Sequence, residues 1–183
     1  MKRFPVHTIE SAPEKSKQAL QGLQNKFGFI PNVAATMAES PVLMNAFIQG
    51  FSSFHGSTFT EAEKQVLLLT NAASIGSSWA VAFHSTMALQ DGVSAPDVEA
   101  IRGGRLPSDQ KYAALSGTAK ALIEKRGRVS GEEVTAFTSA GYTQTQILDV
   151  INGIGISTMA AITGNLAATP IEERFRAQVW KAA

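Results

Sequence analysis

At six places that read as helix starts a Ser or Thr is followed three residues later by an acid or an amide: Ser11/Glu14, Thr60/Glu63, Ser94/Asp97, Ser130/Glu133, Thr143/Gln146 and Thr169/Glu172. In each pair the hydroxyl can accept from an orphan amide of a first helical turn, while the later side chain reaches back to the cap. Pro41, Pro96 and Pro170 sit where a first helical residue tolerates proline. Gly28, Gly56, Gly92, Gly103 with Gly104, Gly127 and Gly141 follow at distances suited to ending a helix in the left-handed region. A chain punctuated this way is committed to helices separated by short turns.

The spacing of apolar residues agrees. Leu43, Phe47, Phe51 and Phe54, joined by Met44 and Ile48, recur at three and four residues after the Ser40-Pro41 start. Val66, Leu67, Leu69, Ala72 and Ala73 keep the same period. No stretch alternates apolar and polar residues between turn signals for long enough to predict a strand. The reading is an all-α fold of roughly eight to ten helices with short connections. Its 183 residues, 44% of them hydrophobic, suffice to bury one core, so residues 1–183 are expected to form a single domain. The stretch GGRLPSDQ from Gly103 to Gln110 reads as a surface loop, with Ser108 capping the next helix.

Sixteen basic and fifteen acidic side chains leave a net charge of +1. No long run of one sign is present to track a phosphate backbone or an anionic lipid surface, so neither nucleic acid nor membrane is expected as a partner. MKRFPVHTIE carries two positive charges without a following apolar run, unlike a secretory leader. No segment offers about 20 uninterrupted apolar residues. These readings, with the absence of cysteine, predict a cytoplasmic protein without a disulfide framework. His7, His55 and His84 lack the spacing of metal ligands, so neither a metal site nor a cofactor is expected.

The most informative segment is TEAEKQVLLLTNAASIGSSWAVAFHSTMAL, from Thr60 to Leu89. With GFIPN at Gly28 to Asn32, SPVLMNAF at Ser40 to Phe47, RVSGEEVTAFTSAGYTQTQILDVI at Arg128 to Ile151 and ATPIEERF at Ala168 to Phe175, it resembles the carboxymuconolactone decarboxylase and alkylhydroperoxidase D-like family. The resemblance implies an all-helical oligomeric fold, a homodimer, trimer or hexamer. Peroxidase members carry two Cys separated by two residues, a His four residues further on, and a Glu upstream. On that pattern the Cys positions here are Ser77 and Ala80, the His is His84 and the Glu position is Gln65. Without cysteine the dithiol peroxidase cycle cannot run, because one thiolate must attack the peroxide and a second must resolve the product.

On one helix, Ser77, Ala80, Val81, His84, Met87 and Ala88 would share a face. The seven positions between Ser77 and His84 span roughly 10 Å, too far for a nucleophile and base in direct contact. His84 is the candidate acid or base, since imidazole titrates near neutrality. Gln65 cannot relay a proton but can hold His84 or a ligand by hydrogen bonds. Glu63 is assigned to the Thr60 cap. Trp79 and Ala80 are expected to wall a ligand pocket. The small residues Gly153, Gly155, Ala160, Ala161, Gly164, Ala167 and Ala168 on the helix from Gln144 to Leu166 predict close helix contact inside the monomer or between subunits. Two functions are open: cofactor-free acid/base chemistry through His84, with Ser77 and Gln65, on a small carboxylated or lactone substrate; or a non-catalytic binding or scaffold homologue.

Overall fold

Hydroxyl and carboxylate caps start most of the helices. A computed structural model describes residues 4–181; residues 1–3, the beginning of the N-terminal stretch considered above, and 182–183 lie outside it. Nine α-helices follow in order: α1 Glu14–Phe27, α2 Asn32–Met37, α3 Pro41–His55, α4 Glu61–Ile75, α5 Ser78–Gln90, α6 Ala95–Arg102, α7 Gln110–Glu124, α8 Gly131–Ser139 and α9 Gln146–Ala167. A 3₁₀ turn at Glu173–Gln178 comes last, and no strand occurs among the described residues.

Thr60/Glu63 and Ser130/Glu133 form reciprocal capping boxes at α4 and α8. Ser94 caps α6, and Ser40 caps α3 with Pro41 as its first residue. Thr143 and Gln146 exchange the same pair of bonds in the turn that leads into α9.

Three expected helix starts fail, each for a physical reason, and Gly56 ends α3 at φ −81°, outside the left-handed region. Ser11 does not cap α1, whose N-cap is Pro13 without a side-chain bond; the Ser11 hydroxyl instead accepts from the Thr8 amide at 2.9 Å. Thr169/Glu172 is no box, and Pro170 starts no helix, because Glu172 spends its carboxylate on distant partners. Asp109, not Ser108, caps α7, since Ser108 donates both its amide and its hydroxyl to Asp97.

Helix α4 is the axis of the fold. Every residue from Ala62 to Ala72 is buried, as expected of a helix packed on all sides, and α5, α9, α7 and α6 surround it. Helix α9 crosses it closely at Gly153. A Cβ there would lie 2.6 Å from Leu67 Cδ2 and 2.8 Å from Phe54 Cε2, so only glycine lets the two backbones approach. Gly50 on α3 does the same against Ile156 Cγ2, at 2.6 Å.

The inner face of α9, with Val150, Gly153, Ile156, Ser157, Ala160, Ala161 and Gly164, is buried, which assigns most of its small residues to packing within the monomer. The outer face carries Leu148, Ile151, Ile162 and Leu166, each at least half exposed. Among the described residues α9 is the one helix whose length and apolarity could span a membrane, yet its inner face is built into the bundle.

Candidate functional site

A left-handed glycine places the site. Gly76, at φ 73°, ends α4, and Ser77 immediately caps α5 by accepting from the Ala80 amide. The chain therefore folds back in two residues and lays α5 along α4. Gln65 lies about ten residues before this turn and His84 about eight after it. At ~1.5 Å per helical residue, the two reach a similar height on facing helices, and His84 Nδ1 meets Gln65 Oε1 at 3.0 Å.

His84 is 8% exposed. Burial, with a smaller contribution from His55, pushes its pKa down to about 3, so the ring is neutral at physiological pH. Phe83 packs edge-on against it at 5.1 Å between centroids. Asp91, just past the end of α5, lies near Gln65. Burial and then the charge of Glu61 raise the Asp91 pKa, and the nearby Gln65 amide partly offsets them. Asp91 is seven positions after His84, and so on the same side of the helix as the histidine; that spacing was the sequence signal for it.

His84 borders an apolar cavity enclosed by α1, α2, α3, α4, α5 and α9. Its wall includes Leu23, Phe27, Phe47, Phe51, Trp79 and Phe83, and its polar side chains are His84 and Ser157. The cavity has a volume of about 50 Å³. At ~10–15 Å³ per water on that measure, it admits a few waters or a small ring. Trp79 lies nearly parallel to Phe83, with centroids 5.1 Å apart, and its indole N–H donates to Glu172 Oε2 at 2.8 Å. The other oxygen of Glu172 accepts from the Asn32 amide at 2.7 Å. Phe175, fully buried, packs on Phe83 and Phe29. The segment after α9 thus braces the aromatic wall from behind.

Ser77 and Ala80 are also fully buried, but neither borders the cavity. The Ser77 hydroxyl faces α9, 3.6 Å from where a Cβ on Gly164 would stand. The structure brings His84 and Gln65 together, puts Trp79 in the cavity wall and leaves Ser77 and Ala80 in the helix packing. Glu63 serves the Thr60 cap and pairs with Lys111 at 2.7 Å. Glu172 and Ser157 were not read from the sequence as site residues; each meets its partners across about 90 residues or more, and no local motif reports such a contact. No group of three or more His, Asp or Glu side chains among the described residues could hold a metal ion.

Known structures superpose on this arrangement nearly end to end. The chain matches the crystal structure of an alkylhydroperoxidase AhpD core, an uncharacterized peroxidase-related protein from Ralstonia eutropha JMP134, with a TM-score of 0.83 at 18% identity, over 94% of this chain and 93% of that one. The chain has the alkylhydroperoxidase D-like fold. A peroxidase-related protein from Silicibacter sp. TM1040 matches with a TM-score of 0.79 at 16% identity, over 96% and 93% of the two chains. The debrominase Bmp8 matches with a TM-score of 0.75 at 17% identity, over 96% and 94%. No protein-family model matches the sequence, and no curated protein matches it. This chain has the fold and no cysteine at all. A dithiol peroxidase cycle is therefore closed to it.

Proposed function

We propose that this protein is a cysteine-free, alkylhydroperoxidase D-like small-molecule binder, which holds an uncharged ligand in the aromatic cavity beside His84. The observation that carries the reading is a neutral, buried imidazole, fixed by Gln65 at 3.0 Å, on the edge of an otherwise apolar cavity. A general base works best with a pKa near the operating pH. At about 3, His84 is a poor proton acceptor and a good neutral hydrogen-bonding group. A carboxylated substrate would enter with its charge unpaired, since no Lys or Arg lines the cavity, and burying an unpaired charge is costly. These points favour binding over acid/base turnover of a carboxylated compound.

The fold neighbours add support of a general kind. Bmp8, in a form with a cysteine replaced by alanine, was crystallised with 2,3,4-tribromopyrrole, a small, planar, apolar ring. The test is a thermal-shift screen of small neutral ring compounds and small carboxylic acids against the protein and against Ala160→Phe, which fills the cavity from α9, with a peroxide-reduction assay alongside. Stabilisation by neutral rings that disappears in Ala160→Phe is the expected result. Stabilisation only by carboxylates, or turnover of peroxide, would overturn the reading.

A further inference from the structure

The hydrogen-bonding groups of the cavity all face it as acceptors. Gln65 Oε1 can only accept, so the bond at 3.0 Å to His84 Nδ1 requires the proton on Nδ1. A neutral ring with its proton on Nδ1 has a lone pair on Nε2. That atom has no hydrogen-bond partner among the described residues, and it is not one of the sealed, unpartnered atoms of the interior. Gln65 does not line the cavity while His84 does, so the ring meets the cavity away from its Nδ1. The second polar group, Ser157, spends its hydroxyl proton on the Leu68 carbonyl at 3.4 Å and has only lone pairs left to offer.

We infer that the cavity selects a small neutral molecule carrying an N–H or O–H donor on a flat apolar body, which donates to His84 Nε2 while Gln65 holds the imidazole in its acceptor form. The inference rests on the binding role proposed above and gives it a ligand class. Phe27, Phe47, Phe51, Trp79 and Phe83 supply faces for a planar body. A lactone, ether or ketone only accepts, and would leave its oxygen and Nε2 facing each other without a proton between them. Phenols and pyrroles supply that proton. Gln65 is a positioning residue here, since it acts on the ligand through His84.

Matched pairs of probes test this on the intact protein: pyrrole against N-methylpyrrole, and phenol against anisole, followed by ¹⁵N NMR of the His84 ring and by titration. The expected result is a free protein with Nδ1 protonated and Nε2 bare at pH 7. Pyrrole and phenol should bind and shift the Nε2 resonance, and the methylated partners should bind about tenfold or more weakly. Gln65→Leu, which removes the acceptor at Nδ1, should mix the two ring tautomers and narrow the gap between each pair. Equal binding of each pair would overturn the donor rule and leave the binding role standing. Binding of none would overturn both. A proton on Nε2 in the free protein would overturn the inference whatever binds.

Discussion

His84→Gln should flatten the dependence of stability on pH. In the unfolded chain a histidine titrates near 6.5, whereas burial holds His84 near 3 in the folded protein. Between these values the unfolded state binds a proton that the folded state refuses, so stability rises with pH across that window. His84's contribution is constant above about 6.5 and is lost progressively as the pH falls toward 3. At pH 4.5 the unfolded imidazole is about two units below its pKa, and at ~1.36 kcal/mol per unit the folded state has lost about 2–3 kcal/mol relative to pH 7. Glutamine keeps an amide near Gln65 and has no proton to gain. His55, pushed down to about 4 by burial and then by the charge of Lys26, adds a slope of its own, but it is present in both proteins and cancels in their difference. Urea unfolding of both proteins at pH 7 and at pH 4.5 reads the effect. The gap between them should shrink by about 2–3 kcal/mol at the lower pH. Parallel curves would mean that folded His84 protonates at an ordinary pH, and the picture of a sealed neutral acceptor would fail.

Gly153→Ala should destabilise the protein although alanine is the better helix former: the new methyl meets Leu67 and Phe54 below 3 Å, and overpacking at about 1–3 kcal/mol exceeds the ~1 kcal/mol gained in propensity. Gly22→Ala on α1, where a Cβ meets nothing within 4 Å, should stabilise by up to about 1 kcal/mol, and denaturant unfolding of the pair measures the contrast. Glu172→Ala strands the Trp79 indole and the Asn32 amide; a loss of about 1.5–3 kcal/mol and a red-shifted tryptophan emission are expected. Leu148→Asp and Ile162→Asp should shift any self-association toward monomer in sedimentation velocity. Leu148, Ile151, Ile162 and Leu166 form the exposed apolar face of α9, the same patch that each copy would offer to a two-fold contact.

The helices could be read from the sequence because their signals are local. A Ser or Thr with an acid three residues on marks a helix start wherever nothing else competes for the side chains, as at Thr60 and Ser130. Where a distant partner competes, the same pattern misleads: Glu172 has the spacing to reach back to Thr169, but charge-assisted bonds to Trp79 and Asn32 take its carboxylate. The end of α9 had no glycine to announce it, because Ala168 itself enters the left-handed region at φ 50°. The site was legible only in part. Resemblance to known motifs pointed to His84 and Gln65, and helical rise already kept Ser77 away from His84. That Ser77 and Ala80 face helix packing instead of the cavity depends on the rotation of α5 against α9, which no periodicity fixes. Nor could the sequence show that the Phe-rich stripe of α3 stops short of full packing: Phe51 stays half-buried and leaves space before His84.

Glu172 also bears on how this protein is made. Trp79 and Asn32 leave the ribosome long before the residue that accepts their N–H groups, and Phe175, which backs Phe83, leaves later still. A nascent chain can assemble α4, α5 and most of α9 while the aromatic wall still lacks its brace. During synthesis the aromatic wall is therefore braced only after α9 has been made, and a ligand present before then would meet a softer receptor than the finished protein offers.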